Sequence, residues 1–306
     1  YTLIIYTAKK ENLLPIVTLI SIGSSFIAAI VLYLLFKEPS LGIYAIGYVI
    51  FNLAIADLLG RKLYKKYSTI FLCQKLLLII LGVTLYYVIG TNGVIIGFGL
   101  SMVIFIIPVY QSLKKSKFEI TPLKKRLGFS INMYVESLAR TFSGQTDKLI
   151  IAPLLGFTLL GNYSLALQII GVMMMFTTIF YKYVLTQDSS NINVKNLKIL
   201  AVIISIIMAV VGITLGPILI DTYFPKYVDT KIAIQIMSIN VIPATIGQIF
   251  QSKLLGTEKS KPVLIGTILA ISALTISMII LGLTLGMIGL AYSLLISSTI
   301  KTVYFG

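Results

Sequence analysis

Long uninterrupted runs of apolar residues alternate with short polar gaps along this chain. A helix needs roughly 20 apolar residues to cross the hydrocarbon core of a bilayer. Each run reaches or approaches that length and is too long for a soluble core helix. The pattern predicts ten spans: residues 13–36, 41–59, 67–90, 93–112, 127–155, 158–184, 197–220, 230–254, 262–283 and 286–304. Gly and Pro inside them are compatible with membrane helices, and Pro243 with Gly247 is expected to bend the eighth. The expected fold class is therefore an all-α integral membrane protein of about ten transmembrane helices, with no soluble domain.

The gaps carry a second pattern. Lys9, Lys10 and Glu11 precede the first span, and Lys37 and Glu38 cancel in the next gap. Arg61, Lys62, Lys65 and Lys66 follow, then an uncharged gap at Thr91 and Asn92. The longest gap holds Lys114, Lys115, Lys117, Glu119, Lys124, Lys125 and Arg126, and the gap at Gly156 is uncharged. Lys182, Asp188, Lys195 and Lys198 come next, followed by the balanced set Asp221, Lys226, Asp229 and Lys231. Lys253, Glu258, Lys259 and Lys261 are net basic, Leu285 sits in a neutral gap, and Lys301 closes the chain. Basic and neutral gaps alternate throughout, which is the positive-inside pattern of a cell-membrane protein with both ends of this chain in the cytoplasm.

Composition narrows the class further. The chain is 58% hydrophobic and 11% charged, whereas soluble domains carry roughly 25% charged residues. Its 25 basic against 10 acidic residues would suggest nucleic acid in a soluble protein, but here they mark orientation and no nucleic-acid partner is expected. The chain has no histidine, so histidine-based metal binding and acid–base chemistry are excluded. The single cysteine, Cys73, lies in an apolar run and is read as a packed or lipid-facing side chain. Trp is absent, leaving Tyr to supply the interfacial belt. The chain starts at Tyr1 without a basic segment before the first run, so no signal peptide is read there, and an N-terminally incomplete chain is expected.

The chain also repeats itself. Leu58-Leu59-Gly60-Arg61-Lys62 resembles Leu254-Leu255-Gly256-Thr257-Glu258-Lys259 at an offset of 256 − 60 = 196. Gly97 and Ser101 match Gly289 and Ser293 at 289 − 97 = 192. A unit starting near Leu127 then has an earlier copy that lacks about two helices before Tyr1. The expected organisation is residues 1–126 as the last four helices of a first lobe and 127–306 as a complete six-helix second lobe, the two related as parallel repeats about the membrane normal.

The unusual span is 127–155, which carries Asn132, Glu136, Ser137, Arg140, Ser143, Gly144, Gln145, Asp147 and Lys148. At about 100° per residue, Glu136 and Asp147 project within about 40° of Arg140, and Asn132, Ser143 and Lys148 within about 80°. Ile131, Val135, Leu138, Phe142 and Leu149 project to the opposite side, and Leu138 is expected to matter for packing rather than transport. Ionisable groups at membrane depth face a partner or a hydrated cavity. The candidate substrate-binding residues are therefore Asn132, Glu136, Arg140, Ser143, Gln145, Asp147 and Lys148, lining a cavity between lobes. An i,i+4 ion pair of Glu136 and Arg140 that merely holds helices together is the plain alternative. Secondary candidates are Asn52 and Asp57, which align at the repeat offset with Gln248 and Lys253. No nucleophile–base pair, metal-ligand spacing or nucleotide motif is visible, so no catalysis, metal or cofactor is expected.

From Arg126 onward the chain resembles a known family. The run Leu127-Gly128-Phe129, then Thr146-Asp147-Lys148-Leu149-Ile150-Ile151, Leu155-Gly156 and Leu160-Gly161-Asn162-Tyr163-Ser164-Leu165-Ala166 is similar to the start of the second lobe in polysaccharide flippases. These belong to the multidrug/oligosaccharidyl-lipid/polysaccharide (MOP) exporter superfamily. Leu254-Leu255-Gly256-Thr257-Glu258-Lys259 resembles that family's loop before its penultimate helix pair, and Gly286-Met287-Ile288-Gly289-Leu290-Ala291 the opening of its last helix. The resemblance implies a flippase that moves a polyprenyl- or dolichyl-pyrophosphate-linked oligosaccharide between leaflets by alternating access. It implies a monomer among membrane lipids, with glycan-assembly enzymes as partners. In that setting Arg140 and Lys148 would hold the pyrophosphate, with Asn132, Ser143 and Gln145 bonding sugars. A cation-coupled multidrug exporter of the same superfamily would instead use Asp57, Glu136 and Asp147. A non-transporting scaffold subunit leaves the polar face without a purpose.

Overall fold

The structure, a computed structural model, describes residues 1–114 and 121–306. Lys115, Lys117 and Glu119 of the longest basic gap lie outside the described residues. The described chain is helical throughout, in the order α1 (Thr2–Ala8), α2 (Leu14–Phe36), α3 (Pro39–Gly60), α4 (Tyr64–Ile89), α5 (Thr91–Val103), α6 (Ile106–Lys114), α7 (Thr121–Lys125), α8 (Leu127–Leu155), α9 (Phe157–Ser189), α10 (Lys195–Tyr223), α11 (Thr230–Ile239), α12 (Val241–Gly256) and α13 (Ser260–Phe305). The chain forms two compact units, Tyr1–Leu127 and Gly128–Gly306.

Among the described residues, eight helical segments are long and apolar enough to cross a membrane. One of them, α13, breaks at Gly286 (φ 58°, ψ −130°). Its second half returns along the first, where Ser297 Oγ donates to the Ala270 carbonyl at 2.7 Å. Counting both legs and adding the long but more polar α8 accounts for the ten predicted spans. The exterior is apolar, with Leu19, Ile27, Tyr87, Phe142 and Phe157 each more than half exposed. Such a surface is stable only where lipid replaces water.

Helix ends follow local chemistry. Lys10, Lys37, Lys62, Asn191 and Glu258 adopt left-handed backbone just past a helix, where the chain must turn away and exposes polar groups. Prolines set the interruptions. Pro108 has no N–H for the Ile104 carbonyl, and the predicted span 93–112 divides into α5 and α6 there. Pro243 likewise leaves the Ile239 carbonyl without a helical donor, and the predicted 230–254 divides at Asn240. The segment before the first predicted span is not all loop: Leu3, Ile5 and Tyr6 are buried, and α1 forms to bury them.

The sequence repeat is also a repeat of backbone geometry. Gly90 (φ 74°, ψ −147°) and Gly286 have nearly the same unusual conformation, at 286 − 90 = 196 residues apart. Three residues beyond each, a Cβ on Gly93 would overlap the Leu85 carbonyl and one on Gly289 the Leu281 carbonyl. Lys62 and Glu258 take the same left-handed turn at the same offset. This corrects the pairing of Gly97 with Gly289: Gly93 is the partner of Gly289, and the match expected from sequence was one helical turn out of register. Glycine spacing of four recurs along α5, so the sequence alone did not separate the two registers.

The core of unit 2 gathers Ile151 of α8, Tyr163 and Ala166 of α9, Ile234 and Met237 of α11, and Met278 and Leu290 from the two legs of α13. That packing fixes the rotation of α8 and thereby decides which of its polar residues point inward.

Candidate functional site

Phe129, Met133, Glu136, Asp147 and Ile151 form the buried side of α8. Two carboxylates thus stand in line with the core residues. Glu136 lies about 14 Å along the helix axis from Leu127 at about 1.5 Å per residue. It is 0% exposed, whereas the Arg140 side chain that pairs with it is 45% exposed. Thr267 of α13 donates to the same oxygen, Oε1, at 3.2 Å. The second oxygen, Oε2, has no hydrogen-bond partner. A fully buried carboxylate is tolerable only with such compensation, since its desolvation costs several kcal/mol.

Asp147 is 7% exposed. Its Oδ1 accepts from the backbone N–H of Lys148 at 2.8 Å, so it holds the backbone rather than the neighbouring ammonium. The fully buried Tyr163 turns its hydroxyl toward the Asp147 carboxylate, although the approach falls short of hydrogen-bond geometry.

The remaining candidates divide between the two sides. Arg140, Gln145 and Lys148 are exposed, while Asn132 and Ser143 are half-buried. Asn132 Nδ2 donates to Ser260 Oγ at the start of α13, 3.0 Å away. The opposite, apolar face, with Ile131, Val135, Leu138, Phe142 and Leu149, is exposed, Leu138 by 41%. Lipid satisfies such a face as well as protein does, so Leu138 does not carry the packing role expected for it.

Of the secondary candidates, Asn52 and Asp57 belong to unit 1 and Gln248 and Lys253 to unit 2. Asn52 is exposed and donates to its own helix at the Tyr48 carbonyl, 2.8 Å away. Asp57 is buried, paired with Arg61 at 2.8 Å and accepting from Ser112 Oγ of α6 at 2.8 Å. Gln248 is half-buried with its Oε1 lacking a partner, and Lys253 is exposed.

Sequence reasoning missed Lys301. It lies on the second leg of α13, close enough to Arg140 and Glu136 for their charges to act on it, with Nζ 5.6 Å from the Phe305 ring centre. Phe305 packs on Gly266, next to Thr267, which places the lysine on the Glu136 side of α13. It was read as a chain-end positive charge. Only the return of α13 on itself brings it beside α8. Glu136 therefore pairs with Arg140 and lies within electrostatic reach of Lys301.

A family model described as polysaccharide biosynthesis protein matches residues 16–193 of the chain. No curated protein matches it. Among solved structures, the chain is similar to a MATE in complex with MaL6, with a TM-score of 0.75 at 13% identity over 95% of this chain and 75% of that one. It is similar to the eukaryotic MATE transporter AtDTX14, with a TM-score of 0.67 at 16% identity over 99% and 80% of the two chains. It is also similar to the lipid II flippase MurJ in an inward closed conformation, with a TM-score of 0.57 at 18% identity over 87% and 60%. At such identities the likeness is one of fold.

Proposed function

The chain belongs to the polysaccharide biosynthesis protein family, and on that premise we propose that it is a flippase for a lipid-linked oligosaccharide within the MOP exporter superfamily. The substrate would be a polyprenyl- or dolichyl-pyrophosphate carrying sugars, moved across the cell membrane by alternating access. Residues 1–126 act as the last four helices of the first lobe and 127–306 as the second. The observation that carries this reading is the division of charge on α8: Glu136 and Asp147 turn inward while Arg140 and Lys148 stand exposed. A pyrophosphate crossing bare hydrocarbon faces a barrier on the order of tens of kcal/mol. Exposed cations at membrane depth lower it, and Arg140 offers the bidentate geometry that phosphate oxygens match. Asn132, Ser143 and Gln145 supply sugar hydrogen bonds, and the lipid tail stays in the bilayer. Both chain ends are cytoplasmic in this reading, where glycan-assembly enzymes would deliver substrate.

A second reading has one observation in its favour. Glu136 keeps one oxygen without a hydrogen bond, which suits a carboxylate that takes up a cation during export of a cationic drug. Purified protein in proteoliposomes separates the two. Transport of an undecaprenyl-pyrophosphate-linked disaccharide without ethidium transport is expected, and the converse overturns the flippase. Lys148→Ala should abolish lipid-linked sugar transport with the amount of folded protein unchanged. Arg140→Ala strands Glu136, so it is tested together with Glu136→Gln. That pair should be inactive, whereas Arg140→Lys should keep part of the activity.

A further inference from the structure

Unit 1 carries a basic cluster that α8 does not share. It is built where the end of α1 meets the end of α3. Gly60 is the contact: a Cβ there would lie 2.5 Å from Thr7 Cβ and 3.0 Å from the Ile4 carbonyl oxygen. Both helices end in the same turn. Lys10 and Lys62 are left-handed (φ 64° and 59°), and the next residues close it, Glu11 N–H to the Tyr6 carbonyl at 2.8 Å and Leu63 N–H to the Leu58 carbonyl at 2.9 Å. Two lysines are thus held near each other. Burial and the charge of Lys10 lower the pKa of Lys62 from its usual value. Below them, the fully buried Tyr6 has the Arg126 guanidinium 5.2 Å and Lys9 Nζ 6.0 Å from its ring centre. Arg126 also pairs with Glu11 at 2.9 Å. Among the described residues of this cluster, the cations Lys9, Lys10, Arg61, Lys62 and Arg126 outnumber the carboxylates Glu11 and Asp57, so positive charge is in surplus among them whatever their pairing.

Unit 2 has the same two turns with other residues. Asn191 (φ 56°) and Glu258 (φ 62°) take the left-handed positions, closed by Ile192 N–H to Gln187 at 3.0 Å and Lys259 N–H to Leu254 at 2.8 Å. The backbone therefore does not demand lysine. Asn is the better left-handed residue of the two, and Lys at both positions of unit 1 brings like charges together at a cost in repulsion. A bound anion relieves that cost. The depth indicates which anion. The apolar span of α3 ends at Gly60, so Lys62 stands two residues beyond it, at the level of lipid headgroups, where lysine stems lie along hydrocarbon and their ammonium groups reach phosphate.

We propose that Lys10 and Lys62, with Lys9 and Arg126 around Tyr6, form a binding site on unit 1 for the phosphate of an anionic lipid headgroup. This site is independent of the transport reading of α8. Unit 2 supplies the test variant, because Lys10→Asn with Lys62→Glu installs residues that the same backbone already accepts. The full chain is titrated in detergent with phosphatidylglycerol or phosphatidylcholine, and bound lipid is read by native mass spectrometry. The original chain should retain phosphatidylglycerol in preference. The double variant should bind it at least about tenfold more weakly, as expected for removing surface cations, with phosphatidylcholine retention unchanged. Lys226→Glu, a charge change in unit 2, should leave the preference intact. Unchanged phosphatidylglycerol binding in the double variant overturns the site, and so does an equal loss in Lys226→Glu. Displacement of the lipid by inorganic pyrophosphate shows a site for free phosphate and overturns the lipid assignment.

Discussion

Units 1 and 2 use one backbone plan for different polar chemistry. Both turn at a glycine in a conformation closed to other residues, Gly90 and Gly286. Both end helices on left-handed residues at matching positions, Lys62 and Glu258. Each also ties helices together with an acid: the buried Asp57 takes Arg61 and Ser112, while the half-buried Asp188 takes Lys198 at 2.7 Å and Ser252 at 2.5 Å. Beyond this shared frame they diverge. In unit 2 the entry helix α8 buries two carboxylates at membrane depth. The described part of unit 1 concentrates its surplus charge at the helix ends instead. The frame is repeated because close helix approach and tight turns have few solutions. Side chains that face lipid, headgroup or cavity are free to differ.

Four experiments break or sharpen this comparison. The largest effect is expected at the close approaches. Gly93→Ala and Gly289→Ala each drive a methyl group into backbone, and each should cost about 3 kcal/mol in unfolding measurements. Tolerance at one site and not the other would separate the units.

Next is the inward charge of α8. Arg140→Ala leaves the fully buried Glu136 without its cation, at a cost of about 2 kcal/mol, below the usual range for buried pairs because Arg140 is partly exposed. Adding Glu136→Gln should restore most of that loss. Lys148→Ala, on the exposed side, should change stability by less than about 0.5 kcal/mol. Equal costs for Arg140→Ala and Lys148→Ala would remove the distinction between the two cations.

Smaller effects are expected at the helix ties. Ser112→Ala and Ser252→Ala each delete one hydrogen bond to an ion-paired carboxylate, and each should lower stability by about 1.5 kcal/mol. A silent Ser112→Ala would show that Arg61 alone suffices for Asp57. The smallest concerns the left-handed turns. Lys62→Gly and Glu258→Gly should each stabilise by about 0.5 kcal/mol in a detergent without anionic headgroups, since glycine adopts that backbone without strain. A marked loss at Lys62 alone would mean that its side chain already does structural work in unit 1.

The span limits were legible because each depends on length and hydropathy over one continuous run. Span 127–155 coincides with α8, and 13–36 differs from α2 by one residue. The division of 93–112 at Ile104 was missed, although Pro108 stood in the sequence, because proline is tolerated in membrane helices and its presence does not dictate a break. The repeat was legible through Leu58-Leu59-Gly60 but misregistered at Gly97, where glycines recur at helical spacing.

At the candidate site, the sequence by itself determined that one helix carries charge at membrane depth and which residues share its polar side. The tertiary structure decided how that side is used. Core packing against Tyr163, Met278 and Leu290 turned the Cβ atoms of Glu136 and Asp147 inward. A short carboxylate stem goes where its Cβ points, whereas the long stems of Arg140 and Lys148 reach out of the same rotation. The partners Thr267, Ser260 and Lys301 sit more than a hundred residues away on α13. No local pattern encodes such neighbours: Ser260 and Thr267 meet α8 from the first leg of α13, and Lys301 comes near it only after α13 folds back at Gly286.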